Sequence, residues 1–339
     1  MTAREVEYVE LYVSDMASIC DYFTVAMGFT QVARSEQDGS SSVLLRQGDV
    51  QLIITSGAVT REFLSAHGDG VADVALACDN VDAAREAAEA SGALVRSVQG
   101  SPVISRFGAL SHTLVPAVQP HGARWPTHHS WAFAAAEPNW PAGRVGRLDH
   151  VAICLEGNTL GDIADFYREV LGLATYSSEY IDIGAQAMDS IVVRSSSTDV
   201  TFTLVAPDPA KGSGQLDSFL DRNGGPGVQH LAFLVDDIVA AVGEFGTRGV
   251  NFLRTPDTYY DMQAERFPEM REEIVALRES SVLADRDEWG YLLQLFSRSP
   301  HERNTLFYEL IQRKGSRGFG AANIRALYEA VESDRLLAE

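Results

Sequence analysis

Two pairs of stretches in this chain repeat one another in pattern, and a duplicated pattern narrows the fold before any single residue does. Near the N-terminus, EVEYVELYVSDMASICDYFTVAMGFTQV reads as strand, helix and strand, and from Arg147 RLDHVAICLEGNTLGDIADFYREVLGLATY reads the same way. Each opens on alternating apolar residues and passes into an amphipathic segment that stops at a glycine. A second pair follows: GDGVADVALACDNVDAAREA, from Gly68, matches GPGVQHLAFLVDDIVAAVGEF, from Gly225. In both, a Gly-rich turn leads into a short apolar strand and then an acidic helix start. The duplication predicts two similar α+β domains, over residues 1–117 and 145–339. Residues 118–144 between them are rich in Pro, His and Trp, have no clear period and read as a linker. Residues 255–286 read as a charged helical insertion in the second domain, with Pro256 near its start. After Gly318 and Gly320 the chain reads as an amphipathic C-terminal helix.

A length of 339 residues suits two such domains, and 45% hydrophobic against 22% charged residues suits a globular protein with a core of useful size. The net charge of -20 argues against nucleic acid and anionic membrane as partners, because both repel it. Cys20, Cys78 and Cys154 are widely spaced and include no CxxC pair, so no thiolate zinc site or disulfide framework is expected. The N-terminus has no basic-then-apolar signal, and no apolar run approaches the ~18 residues that span a bilayer. A soluble protein of a reducing cytoplasm is the expectation.

Aligning the repeats exposes a chemical difference between them. Tyr8 stands opposite His150, and Asp73 stands opposite His230, so the second copy alone carries imidazoles at both matched strand positions. Glu309, in NTLFYELIQRKG, is an acid inside an otherwise apolar strand, where a carboxylate is costly unless paired or bound to a metal. Two histidines and one carboxylate match the facial triad of non-haem Fe(II) oxygenases, which leaves positions open for a chelating 2-oxo acid and O2. The same donors suit other divalent metals, and a lone strand histidine is more often a core or surface residue than a ligand. The equivalence of the two positions across the repeat favours ligation. His112, His128, His129 and His301 have no such counterpart, and the adjacent His128 and His129 are expected on the linker surface.

LDHVAIC, GVQHLAF, LLQLF, FYELIQRKG and GFGAANIRALYEAVE together make the chain resemble the 4-hydroxyphenylpyruvate dioxygenase and 4-hydroxymandelate synthase family, within the vicinal oxygen chelate superfamily. The resemblance covers nearly the whole chain and is strongest from residue 147 onward. It implies two domains of paired βαβββ modules, each an open barrel, with a C-terminal helix over the active site. It also places His150, His230 and Glu309 on the family's ligand positions for Fe(II). The substrates implied are the small aromatic 2-oxo acid 4-hydroxyphenylpyruvate and O2, with loss of CO2. The first domain, without a visible site, is left for packing or assembly, and a homodimer is left open.

Within the family one activity attacks the aromatic ring and gives homogentisate, and the other hydroxylates the benzylic carbon and gives 4-hydroxymandelate. Three positions bear on that choice. Dioxygenases typically carry Gly-Asn-Phe on the C-terminal helix, where this chain has Ala322-Asn323-Ile324, and Ile324 lacks the flat face of Phe. They also carry Pro, one residue, then Asn, where this chain has Thr203 and Val205. The resemblance therefore leans toward 4-hydroxymandelate, a product that feeds hydroxyphenylglycine in peptide antibiotics. The AQAMDS segment, the YYD motif at Tyr259 to Asp261, and ALYEAVE lean the same way. By position, Ser190, Gln294 and Asn323 are expected to make polar contacts in the substrate pocket. Phe296, Phe307 and Phe319 are expected to wall it, although ordinary core is the bland alternative for these rings. Gln229 is expected to support its neighbour His230. Tyr308 should alternate away from Glu309 and is assigned no role.

Overall fold

The computed structural model describes residues 2–118, 125–126, 129–133, 143–182, 184–320 and 323–324. The first module comprises β1 (Ala3–Tyr12), α1 (Met16–Asp21), β2 (Thr30–Gln37), β3 (Ser40–Gln47) and β4 (Val50–Gly57). After α2 (Arg61–His67), a second module comprises β5 (Gly70–Cys78), α3 (Val81–Ala90), β6 (Leu94–Val98), β7 (Ser101–Ser105) and β8 (His112–Pro116). A short β9 (Ala132–Phe133) lies between the halves. The second half repeats the plan with β10 (Val145–Cys154), α4 (Leu160–Leu171), β11 (Ala174–Asp182), β12 (Ala187–Arg194) and β13 (Thr201–Pro207). It continues through α5 (Gln215–Asn223), β14 (Gly227–Val235), α6 (Ile238–Thr247), α7 (Asp257–Arg266), α8 (Arg271–Glu279), β15 (Leu283–Arg286), β16 (Tyr291–Phe296) and β17 (Phe307–Lys314).

Each module is βαβββ, as expected. Its first strand pairs parallel with its last, a connection that needs an intervening crossover. The two modules of each half meet through their first strands, β1 against β5 and β10 against β14, both antiparallel. The resulting orders are β6-β7-β8-β5-β1-β4-β3-β2-β9 and β11-β12-β13-β10-β14-β17-β16-β15. Each mixed sheet curls into a half-barrel whose concave face is centred on its antiparallel pair. Polar residues at the helix starts act as caps: Asn80 accepts from the Ala83 N–H and Asp237 from the Ala240 N–H. Both central pairs carry register shifts, at matching places just before Tyr8 and His150.

Pro256 starts α7, and α7 and α8 fill the expected insertion. Its end differs from expectation, because Leu283–Arg286 is a strand. Leu283 and Ala284 are buried opposite Gln294 and Leu293, and that pairing outweighs the charged, helix-like composition. The expected C-terminal helix lies outside the described residues except for Asn323 and Ile324, which are helical.

Buried histidines without a counterpart in the repeat hold the halves together. His112 bridges the Val74 carbonyl and the Tyr167 hydroxyl. His301 reaches Asp69 and the Tyr308 hydroxyl, and the Tyr308 ring packs on Phe23 and Phe233. Arg303 donates to the carbonyls of Ser65 and Ala66 at the C-terminal end of α2, where carbonyls lack helical partners.

The first concavity is filled from within the chain. Trp125 and Trp131 pack on Tyr8, Val32, Ala33, Leu44, Ile53 and Ala75. His129 packs against Trp131 with the rings tilted and approaches Glu10 at 3.9 Å, so it lies inside this half rather than on the surface as expected. An aromatic segment with no strong period found an apolar cup to occupy. His128 lies outside the described residues. Below the aromatic rings, the Tyr8 hydroxyl donates to Asp73, Asp73 also accepts from the Thr113 N–H, and the Thr55 hydroxyl donates to Glu10. Burial, with Asp73 nearby, pushes Glu10 up to about 7 despite the Thr55 bond.

A carboxyl raised in this way stays protonated in the fold at pH values where the unfolded chain has released its proton. Its contribution is therefore intact below about 4.5 and is lost as pH rises toward 7. At about 1.4 kcal/mol per pKa unit the loss approaches about 3 kcal/mol. Glu10→Gln copies the protonated form. Urea unfolding should show it more stable than the wild type at pH 8, with the difference gone at pH 4.

Candidate metal centre and its cavity

The register of the second half assembles the three predicted ligands. His150 lies directly opposite Ala232 across β10 and β14, and Ala232 lies directly opposite Glu309 across β14 and β17. Ala232 contributes only a methyl group, so the imidazole of His150 and the carboxylate of Glu309 meet over it. His230 lies one inward-facing position along β14, opposite Ala152 on one side and Phe307 on the other. The Nε2 atoms of His150 and His230 are 3.3 Å apart, and each lies 3.3 Å from Glu309 Oε2. One ligand atom from each residue lies within 4.8 Å of the other two.

Each histidine is supported by the residue before it. The register slips by one residue at Asp149 on β10 and at Gln229 on β14. Those bulges let two successive side chains act at one site. Asp149 Oδ1 accepts from His150 Nδ1 at 2.9 Å, and Gln229 Oε1 lies 3.3 Å from His230 Nδ1. Asp149 is itself clamped by both arms of Arg313, at 2.7 Å each, and Arg313 also donates to the Gly318 carbonyl. Glu309 Oε1 accepts from Gln294 Nε2 at 2.8 Å. Burial opposes charge on Glu309, but His150 and His230 outweigh it and hold the carboxyl down at about 2. Burial likewise opposes protonation of His150, and Asp149 and Glu309 outweigh it, raising His150 to about 9. Arg313 and His150 keep Asp149 ionised despite its burial.

These residues fit a divalent ion. Two imidazole nitrogens and one carboxylate oxygen converge from three adjacent strands, and the outer nitrogen of each ring is engaged behind. The ionised, buried Glu309 is a donor that a cation would compensate.

The centre opens on a cavity of about 630 Å³. Ser190, Thr203, Val205, Gln229, Gln294, Phe296, Phe307, Phe319, Asn323 and Ile324 all line it with the triad. Phe307 stacks on His230 at 5.0 Å, while Phe296 meets His230 and Phe319 meets His150 edge-on. Val205 belongs to an apolar cluster with Met188, Leu216 and Phe219, against which Ile324 packs. The Thr203 hydroxyl oxygen is buried with no hydrogen-bond partner among the described residues. Both ends of the Gln294 amide are engaged, by Glu309 and Asn323. Asp149 was missed because alternation turns it away and a bulge brings it back, while Arg313, in step with Glu309 on β17, was missed for want of its partner Asp149. The adjacency of an acid to His150 was the available signal. Tyr308 points away from the centre, as expected.

Paired βαβββ half-barrels with this ligand set define a vicinal oxygen chelate protein. Residues 147–295 match the Glyoxalase/Bleomycin resistance protein/Dioxygenase superfamily, and residues 1–118 match the N-terminal domain of hydroxyphenylpyruvate dioxygenase. A 4-hydroxyphenylpyruvate dioxygenase of Neurospora crassa is 30% identical, over 97% of this chain and 91% of that protein. One of Aspergillus fumigatus is 31% identical, over 98% and 92%. A solved mutant of 4-hydroxymandelate synthase from Streptomyces coelicolor superposes with a TM-score of 0.90 at 44% identity, covering 99% of this chain and 100% of that one. The chain belongs to the 4-hydroxyphenylpyruvate dioxygenase family. Among the described residues no helix is long and apolar enough to cross a membrane.

Ala232 is the position on which the ligand geometry turns. Ala232→Leu should abolish tight Co(II) binding in an absorbance titration, because the added side chain fills the space between His150 and Glu309. The apoprotein should remain folded by circular dichroism and lose about 1–3 kcal/mol of stability to overpacking.

Proposed function

We propose that the chain holds Fe(II) through His150, His230 and Glu309 and converts 4-hydroxyphenylpyruvate and O2 to 4-hydroxymandelate and CO2. One oxygen atom of O2 enters the benzylic hydroxyl and the other enters the new carboxylate. The observation that carries this reading is the pocket wall. Thr203, Val205 and Ile324 line the same cavity as the triad, and Val205 and Ile324 share one apolar cluster. The 44% identity to a 4-hydroxymandelate synthase structure supports it.

Fe(II) would supply open coordination positions for the oxo acid and O2 and the electrons that begin O2 reduction. The protein supplies placement. The rings of Phe296, Phe307 and Phe319 make an apolar surround that limits water near the reacting atoms. The buried Thr203 hydroxyl and Ser190 offer hydrogen bonds to the substrate's polar end. Ile324 and Val205 shape the space in which the substrate ring turns, and a shift of about 1 Å is enough to change which carbon reacts.

A second reading, release of homogentisate, is favoured by the names of the relatives at 30–31% identity. Product identity decides. Fe(II)-loaded protein with 4-hydroxyphenylpyruvate and O2 should yield 4-hydroxymandelate as the dominant product by chromatography, and dominant homogentisate would overturn the proposal. Ile324→Phe should lower the yield of 4-hydroxymandelate per O2 consumed several-fold while leaving Co(II) affinity unchanged, since Ile324 touches no ligand.

A further inference from the structure

Tyr259 belongs to the YYD motif of the inserted helix α7, a feature that the site as described does not use. Its side chain is buried, and its hydroxyl reaches two places. One is the outer edge of β15, where it lies 2.8 Å from the Ala284 N–H and 2.9 Å from the Ala284 carbonyl. The other is Asn323 Oδ1, at 2.9 Å. Asn323 Nδ2 donates to Gln294 Oε1 at 2.9 Å, and Gln294 Nε2 donates to Glu309 Oε1 at 2.8 Å. Four buried side chains thus form one line from a helix of the insertion to a predicted metal ligand.

We propose that Tyr259 is a positioning residue for the metal-binding carboxylate, acting on Glu309 through Asn323 and Gln294. This rests on the assignment of Glu309 as a ligand and adds a residue outside the cavity to that site.

The polarity of the line follows from its carboxylate end. An ionised Glu309 only accepts, so Gln294 must turn its NH₂ toward it and its carbonyl toward Asn323. Asn323 must then offer its NH₂ to Gln294 and its carbonyl to Tyr259. At the other end, the phenol oxygen accepts from the Ala284 N–H, and its one proton faces two acceptors, the Ala284 carbonyl and Asn323 Oδ1, each at 2.9 Å. An amide has two nearly isosteric orientations, and only its partners choose between them. Tyr259 adds a donor to the Asn323 orientation that Glu309 and Gln294 require.

The consequence reaches the metal site. With Oε1 of Glu309 held by an N–H donor, Oε2 is the oxygen turned toward both histidine Nε2 atoms, each at 3.3 Å. Gly320 keeps Gln294 in line: it has φ +72°, and a Cβ there would fall 2.0 Å from Gln294 Oε1. Removing the phenol oxygen takes the donor from Asn323 Oδ1 and loosens the hold of Asn323 on Gln294, and so of Gln294 on the carboxylate.

The test is Co(II) titration of the apoprotein, read by visible absorption and by calorimetry, with no substrate present. Tyr259→Phe should weaken Co(II) binding about tenfold, the size expected for loss of a group supporting a ligand. It should also shift the d–d bands. Tyr260→Phe, at the neighbouring buried tyrosine outside the line, should change neither. Combining Tyr259→Phe with Asn323→Leu should weaken binding no further than Asn323→Leu alone, because both cut the same line. Wild-type affinity and spectrum in Tyr259→Phe would overturn the proposal, even if its melting temperature falls, since that pattern marks a merely structural tyrosine. Additive losses in the double variant would also overturn it. Failure of the wild type to bind Co(II) would overturn the ligand assignment itself, which separates the two failures.

Discussion

The antiparallel pairing of β10 with β14 sets the positions from which the rest of the site is built. It puts His150 in register with Ala232, and the parallel pairing of β14 with β17 carries that row on to Glu309. A row of this kind spaces neighbouring strands about 4.8 Å apart. His150 and Glu309 therefore start two strand spacings apart, and they close that distance only because the residue between them is alanine. The bulges at Asp149 and Gln229 follow from the same pairing. Each spends one residue of register to place a hydrogen-bonding group behind a ligand. The clamp of Arg313 on Asp149 then ties β10 to β17 and to the turn at Gly318.

The first half shows what the same register does with other side chains. Tyr8 and Asp73 occupy the places of the two histidines, and Thr113 occupies the place of Glu309. These groups satisfy one another directly: the tyrosine hydroxyl and the Thr113 N–H both donate to Asp73. A metal answers a surplus of acceptors, and here the donors and acceptors balance. Glu10 answers its own burial by keeping a proton, with Thr55 as donor. One backbone plan has thus settled its buried polar groups in two ways. Internal hydrogen bonds complete the first, and the second keeps an ionised carboxylate against two imidazoles.

Much of this was legible in the chain. The repeat yields the two halves, and the asymmetry between Tyr8 with Asp73 and His150 with His230 isolates the half that bears the candidate metal centre. The acid in FYELIQRKG marks the third strand. Less legible were effects that depend on irregular backbone or on distant partners. Strict alternation would turn Asp149 away from His150, and only a bulge brings it back. His129 carries no period that would announce its burial, because the cup receiving it comes from strands far away in sequence. Leu283–Arg286 looked like the end of a charged helix, and pairing with β16 made it a strand. The line from Tyr259 through Asn323 and Gln294 to Glu309 joins residues as far as sixty-four positions apart, and no local pattern announces it.

The tryptophans from the linker carry a consequence for stoichiometry. With Trp125 and Trp131 seated in the first concavity, that half cannot admit a guest without first expelling part of its own chain. Ligand titrations should then saturate at one per polypeptide despite the twofold architecture, with no cooperativity between halves of one chain. Building a second centre would take more than two histidines and a glutamate. The space itself would have to be vacated, and the apolar surface now covered by indole rings would need another cover.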